Sequence, residues 1–527
     1  MKVVFFLFSC LLSCVVVSGQ SVQNVYANQV YTNLDMLQSK GLISQGALAQ
    51  KPLKEQTILK LLDNTQQKIE TDDPVFAIIE STRNLLTQRR TDLSKDFNID
   101  LLQKVSFAQV LTNQREDLVE ANGLGGIDAI FQPLLSNQEG RLFRNSFNAY
   151  LESNHAINYK DLLSVQLQPQ LILNKDNAVN NQLRFQKLLL NANLGYLQLS
   201  IGRDNIQWGP RSNGGLLLSQ NAPALDMIKL SVAGQKKLPW FLKKLGTYNF
   251  TTFVANMGND YAQANAKMAA YRFDFQPTEK WNFAVEHTVV LGGKGIGTPG
   301  LSRAIGEYVG FLIEAGDPAP SNHNFTGSIT RNFGGANVYI AGMFEDIDSN
   351  FEMLMVHNAT WLLGFYLPKI GSNTAWSLRT ELIRSAPRGY RHGIYKGGHA
   401  INGRILGLGL GPDVFLSNTE LTYSSEKVGF LTMNLQYINR SSDTYRIITE
   451  AENDFVDLEV NENRPEENHF LLGLNWTKGL NESLNVNLSV GLDYTHNYHF
   501  VKNTSQLDYM CGIKVEFFPN LYSKSTN

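Results

Sequence analysis

The residues of this 527-residue chain best able to do chemistry lie in two glycine-rich stretches. The first, "GRDNIQWGPRSNGG", sets Arg203 beside Asp204 and then runs Trp208, Gly209, Pro210 and Arg211 through one turn. The second, "GYRHGIYKGGHAINGRILGLGLGPD", carries Tyr390, Arg391, His392, Tyr395, His399 and Arg404. Aromatic rings stack on the C–H faces of pyranose sugars, and the guanidinium fork matches hydroxyls and uronate carboxylates. Arg211, Tyr390, Arg391, His392, Tyr395 and Arg404 are therefore candidate glycan contacts. Arg203, Asp204, Trp208, Gly209 and Pro210 suit a structural role, because Gly-Pro and paired glycines favour a tight inward fold.

Other chemistries find little support. Arg272, Asp274, Glu286, Arg379 and Glu381 could suggest the paired carboxylates of a glycosidase. Opposite charges interleaved along alternating strands instead suit cross-links across a wall. No Ser-His-Asp or Cys-His arrangement can be assembled, so no catalytic residue is expected. "GGKGIG" lacks the phosphate-loop spacing, and the acidic segment 450–468 lacks EF-hand spacing and reads as a solvated loop. His392 and His399 stand seven apart without paired ligands, so neither a metal nor another cofactor is expected. A formal net charge of −2 is no footprint for nucleic acid.

The elements that position these stretches fall into two kinds. After Lys2 an apolar run reaches Val17, too short for a membrane-spanning helix, and Val17 and Gly19 offer small residues for cleavage. Residues 1–19 read as a secretory signal, with a lipoprotein signal cut before Cys14 as the rival reading. Cleavage after Gly19 would leave Cys511 as the only cysteine, with no intramolecular disulfide. Residues 20–96 read as a small helical bundle. Its apolar stripes are Tyr31, Leu34 and Leu37, then Ile58, Leu61 and Leu62, then Val75, Ile78, Ile79 and Leu86. Asp73 before Pro74 marks the start of the third helix.

From about residue 97 the period becomes two. In "SLNVNLSVGLDYT", Leu484, Val486, Leu488, Val490 and Leu492 alternate with Asn485, Asn487, Ser489, Gly491 and Asp493. Eighteen such segments lie between 99 and 518. Alternation fits a soluble sandwich or a membrane barrel equally well. Connection length separates them. Every long connection follows an odd-numbered segment (112–140, 204–224, 294–323, 387–414 and 443–467), whereas "KIGSN", "SEK" and "GLNE" follow even ones. Sorting by parity is what a barrel with extracellular loops and short periplasmic turns does. The chain is therefore expected to be an all-β transmembrane barrel of about eighteen antiparallel strands over 97–519, with a tail at 520–527. Its aromatic final strand is the type that outer-membrane barrel assembly machinery engages, though a few residues follow it.

At this level the sequence resembles the Wzi family of capsule-assembly proteins. The resemblance rests on "GRDNIQWGP", "LLLSQNAP", "LGGKG" and "YRHGIYKGGH…GRILG…GPD", together with the helical "LDMLQSKGLI…PLKEQTI", in matching order. It implies an outer-membrane barrel in a Gram-negative bacterium, with the helical bundle in the periplasm. It also implies a non-catalytic lectin that holds capsular or extracellular polysaccharide on the cell surface, amid outer-membrane lipid and lipopolysaccharide. Arg211 stands where relatives often have glycine, and His399 where an aromatic is common, so the sugar specificity does not transfer. A diffusion channel or substrate-specific porin is the alternative reading, and it requires an open lumen. A surface glycan-modifying enzyme is a third, without a credible acid/base pair.

Overall fold

The computed structural model describes residues 29–519, apart from 45, 52, 54, 71–73, 88–96, 161, 175–181, 212–213, 233–235, 311–319, 346–354, 356, 371–374, 426, 450–454, 462–463 and 482. The signal at 1–19, Asp73 and the tail at 520–527 lie outside the described residues. Eighteen strands close into one antiparallel barrel. They are β1 Phe97–Thr112, β2 Ser146–Tyr159, β3 Leu163–Asn174, β4 Gln182–Leu194, β5 Leu197–Asp204, β6 Leu225–Val232, β7 Thr247–Asn256, β8 Lys267–Gln276 and β9 Trp281–Leu291. They continue with β10 Ser321–Asn332, β11 Asn337–Glu345, β12 Ala359–Leu367, β13 Trp376–Ser385, β14 Val414–Ser425, β15 Gly429–Arg440, β16 Glu467–Asn481, β17 Leu484–His496 and β18 Ser505–Phe517. Closure comes where β18 pairs with β1, from Val105 opposite Phe517 to Thr112 opposite Met510.

Every expected strand is present. The largest boundary error is at β2, which was expected from 141 and begins at Ser146. The difference has a cause: 132–145 turns into the lumen through a short 3-10 helix at Pro133–Leu135, and Arg141 pairs there with Glu152 at 2.9 Å. The acidic stretch expected to be loop is partly a hairpin, Thr444–Thr449 against Phe455–Asn461.

Burial runs opposite to that of a soluble sandwich. Outward Leu151, Ile201, Ile228, Val254, Ile340 and Leu488 are exposed, while inward Asn148, Glu152, Gln170, Arg272 and Asp274 are buried. A wall with exposed Leu, Ile, Val and Phe and buried carboxylates is built to face hydrocarbon outside and a polar interior within. The chain is a transmembrane barrel.

Among the described residues three helices precede it: α1 Gln29–Ser39, α2 Glu55–Gln66 and α3 Pro74–Thr87. Their stripes meet in one core of Tyr31, Leu34, Leu37, Ile58, Leu62 and Ile79. This segment sits at the short-turn end. Asn332 donates to the carbonyls of Gln38 and Ser39 at 3.1 and 2.6 Å, and Lys68 pairs with Glu279 at 3.4 Å. From there the chain enters the lumen. Gln50 donates to Asp274 at 2.5 Å, and Asp35 pairs with Arg379 at 3.5 Å.

Candidate functional site

The long connections fold into the barrel. Residues 113–145, 205–224 and 386–413 build an apolar core inside the lumen, with Phe131, Trp208, Leu216–Leu218, Tyr390, Leu406 and Leu408 packed against inward wall residues such as Phe253, Met268 and Met343. Loop backbone deprived of water must find internal partners. Ser219 donates its amide to Leu406 O at 2.8 Å, Asn221 Nδ2 donates to Ile405 O at 2.9 Å, and Glu139 N donates to Gln220 O at 2.9 Å. Glycine is needed where these backbones touch. A Cβ on Gly407 would collide with the Leu216 carbonyl, and Gly398, at φ 57°, passes directly under the Tyr390 carbonyl.

This inward fold relocates the expected glycan contacts. Tyr390 is fully buried, donating its hydroxyl to Leu216 O at 2.8 Å and accepting from Leu408 N at 3.1 Å. Tyr395 is equally buried and donates to the carbonyls of Gly292 and Pro320, both at 3.2 Å. Through Nδ1, His392 accepts the amides of Ile394 and Tyr395 at 3.1 and 3.0 Å. Arg404 donates to Gln132 Oε1 at 3.1 Å and to Arg141 O at 3.0 Å. Arg211 sits deep in the lumen, bonded to Glu381 of β13 at 3.0 Å. Arg211 and Arg404 are therefore held inside the lumen. These side chains follow their loops inward and hold them.

The residues expected to be structural lie as follows. Trp208 is 1% exposed and its ring lies 5.5 Å from Phe253. Asp204 is buried between Lys187 at 3.1 Å and Lys229 at 3.4 Å, and Gly209 and Pro210 line a lumenal pocket. Arg203, one residue from Asp204, faces the other way. Strand alternation puts it outside the barrel, in a half-exposed pair with Asp226 at 2.6 Å, so it has no part in the loop packing. Of the charges expected to cross-link the wall, Arg272, Asp274 and Glu286 do so, with Arg272 bonding Asp274 at 2.6 Å and also Glu286, whereas Arg379 reaches Asp35 of α1. Glu381 is bound to the loop arginine instead of to Arg379.

Burial sets the protonation of the loop core. It lowers His399 to about 4, so at neutral pH the ring is neutral and donates from Nε2 to Leu217 O at 3.0 Å. Burial also lowers Arg391 and Arg404 to about 10, which leaves both charged at neutral pH but costs the fold the hydration of two cations.

Of the six candidates, Arg391 lines the pocket that opens at the long-loop end. Around it stand Glu120, Asn122, Asp413, Arg440, Ser441, Ser442, Asp443 and Phe500. Arg391 is fixed by its Nη2 donating to Glu120 O at 2.6 Å, while its buried Nε and the Ser442 hydroxyl have no hydrogen-bond partner among the described residues. Tyr445 donates to Asp413 at 2.6 Å, and the Arg440 guanidinium lies 3.8 Å over Phe131 and 5.3 Å from Phe500. Carboxylates, amide, hydroxyls, guanidinium and an aromatic ring around one concavity can bind a hydroxylated ring. Sequence reading did not reach Asn122, Ser442, Asp443 or Phe500. The available signal was the small polar run "RSSD" directly after a strand, which has no periodicity to mark it. Among the described residues, no group of three or more His, Cys, Asp or Glu is set to hold a metal ion.

Fold and site together define a closed eighteen-stranded transmembrane barrel whose own loops fill its lumen and leave a polar pocket at the mouth. The chain belongs to the family of capsule assembly protein Wzi, whose family model matches residues 128–508. Among solved structures it is similar to Wzi of Escherichia coli, at 18% identity and a TM-score of 0.67, covering 94% of this chain and 99% of that one. That protein is described as an outer membrane protein involved in group 1 capsule assembly and a carbohydrate-binding β-barrel. Pseudomonas aeruginosa OccK3 (11% identity, TM-score 0.44, covering 82% and 98%) and a BenF-like porin from Pseudomonas fluorescens Pf-5 (11%, 0.44, 81% and 100%) align only distantly. No curated protein sequence matches the chain.

Proposed function

We propose that this protein is a non-catalytic outer-membrane lectin that retains capsular or extracellular polysaccharide at the cell surface. In this reading residues 1–19 are a secretory signal, the helices lie in the periplasm, and the long-loop end faces outward among lipopolysaccharide. Barrel assembly machinery would insert it. The observation that carries the reading is the mouth pocket, where Asn122, Arg391, Ser442, Asp443 and Phe500 line one concavity and, among the described residues, Arg391 Nε and Ser442 Oγ have no hydrogen-bond partner. A buried donor with no internal partner costs stability that a bound hydroxyl or carboxylate would recover. Family membership supports it, and the loop-filled lumen argues against the diffusion-channel alternative.

The test is binding of the purified protein to the producing organism's surface polysaccharide, with single-channel conductance measured on the same preparation. Asp443→Ala and Ser442→Ala should each weaken binding by about tenfold, roughly 1.4 kcal/mol. Conductance should remain far below that of an open barrel of this size. Unchanged affinity in both variants would move recognition away from this pocket, and steady porin-scale conductance would favour the channel.

A further inference from the structure

The connection between β9 and β10 contains a helix, α4 Leu301–Val309, whose burial is reversed relative to an ordinary surface helix. Leu301, Ile305 and Val309, spaced four apart on one face, are 80%, 54% and 41% exposed. Its polar side is the buried one. Glu307 is 1% exposed and bonds His323 at 2.7 Å and Ser321 at 3.0 Å, and Arg303 pairs with Glu307 at 3.1 Å. Tyr308 bonds Thr252 at 2.6 Å through its hydroxyl, and its carbonyl accepts from His287 Nδ1 at 3.1 Å.

Strand alternation shows which side of the wall these partners occupy. His287 shares its face with Val285, and His323 shares its face with Ile329, residues on the exposed outer surface of the barrel. Along β9 that outward face goes from 51% exposed at Val285 to 0% at His287, which bonds the Tyr308 carbonyl of α4. The helix therefore lies on the outside of the barrel, over a patch of outward-facing polar residues, and not across its mouth.

We infer that α4 is a membrane-embedded strap whose Leu301–Ile305–Val309 face contacts lipid acyl chains in the leaflet at the long-loop end. The strands that α4 bonds to also carry exposed apolar residues on their outward faces, at Val254, Val285 and Ile329. In water, an exposed apolar stripe over a buried His-His-Glu cluster would be the unfavourable way round. In hydrocarbon it is the favourable one, because the helix shields Ser321, His287 and His323 from a medium that offers them no hydrogen bonds.

The test uses single-cysteine proteins in lipid nanodiscs, with Cys10, Cys14 and Cys511 each replaced by Ser and combined with Ile305→Cys or with Lys396→Cys, an exposed mouth position. Each is checked for folding by heat-modifiable migration. A charged maleimide should react at position 305 at least tenfold more slowly than at 396. A bimane at 305 should be quenched more by acyl-chain nitroxide lipids than by iodide. Equal maleimide rates with quenching dominated by iodide would overturn the proposal. So would efficient 305-to-305 cross-linking between copies, which would place a second chain on the stripe.

Discussion

The two ends of the lumen are filled by different physics. At the long-loop end, loops of the same chain pack Trp208, Leu216, Tyr390 and Leu406 into a core as dry as that of a soluble domain. At the short-turn end the helical segment meets the wall through polar contacts of Asn332, Gln50, Asp35 and Lys68. The ends are joined by a two-residue ladder, Gln50 opposite Trp208 and Lys51 opposite Gln207, with Gly209 N donating to Ala49 O at 3.2 Å. Apolar packing gains from every buried methylene, whereas hydrogen bonds exchanged with water gain little each. The loop core should therefore be the firm seal and the helical end the joint that opens first.

Trp208→Ala is expected to have the largest effect. Removing a fully buried ring costs about 3–5 kcal/mol, and this one also anchors the ladder. The barrel should still fold by heat-modifiable migration while conductance in planar bilayers rises. Conductance unchanged from wild type would mean that the seal does not depend on this core.

Acid should come next. Because the folded-state His399 lies at about 4, below its ordinary 6.5, the unfolded loop binds the proton more tightly than the folded one. Stability from the neutral ring is complete above 6.5 and is lost as pH falls toward 4, amounting to about 3 kcal/mol. Proteolysis of the long loops should increase across that window in wild type and much less in His399→Phe, which keeps the packing and removes the titration. Parallel pH profiles would assign the acid sensitivity to another group.

Asn332→Ala tests the weaker end. Leaving the Gln38 and Ser39 carbonyls without their donor should cost about 1–2 kcal/mol. Protease protection of residues 29–87 should fall, with conductance unaltered. A loss of the conductance block in this variant would show the two ends to be one cooperative unit.

The smallest effect is expected at Arg203→Gln. Its pair with Asp226 is half exposed on the outer wall and should contribute less than about 1 kcal/mol. Thermal unfolding followed by circular dichroism should show a shift within the measurement error. A large destabilisation would return Arg203 to the loop packing from which its outward direction excludes it.

The strands, their number and their outward and inward faces were legible because each is local. A period of two in "SLNVNLSVGLDYT" and long connections after odd segments require no knowledge of what the loops touch. The helices were legible for the same reason, from the spacing of Tyr31, Leu34 and Leu37 and the proline at 74. In the loops the residue types were legible, but their places were not. Arg211 could meet a sugar as well as Glu381, and only the fold of 205–224 into the lumen brings it to β13. The pocket of Asn122, Arg391, Asp443 and Phe500 joins four connections distant in sequence, so no spacing could announce it. The same holds for α4, whose apolar stripe marks an amphipathic helix in any context. Whether that stripe turns to a core or to lipid depends on the wall beneath it, where His287 and His323 take the polar side. Local periodicity determined the elements of this protein; the inside and outside of its loops were decided by closure of the barrel, which alone sets which side of each connection is dry.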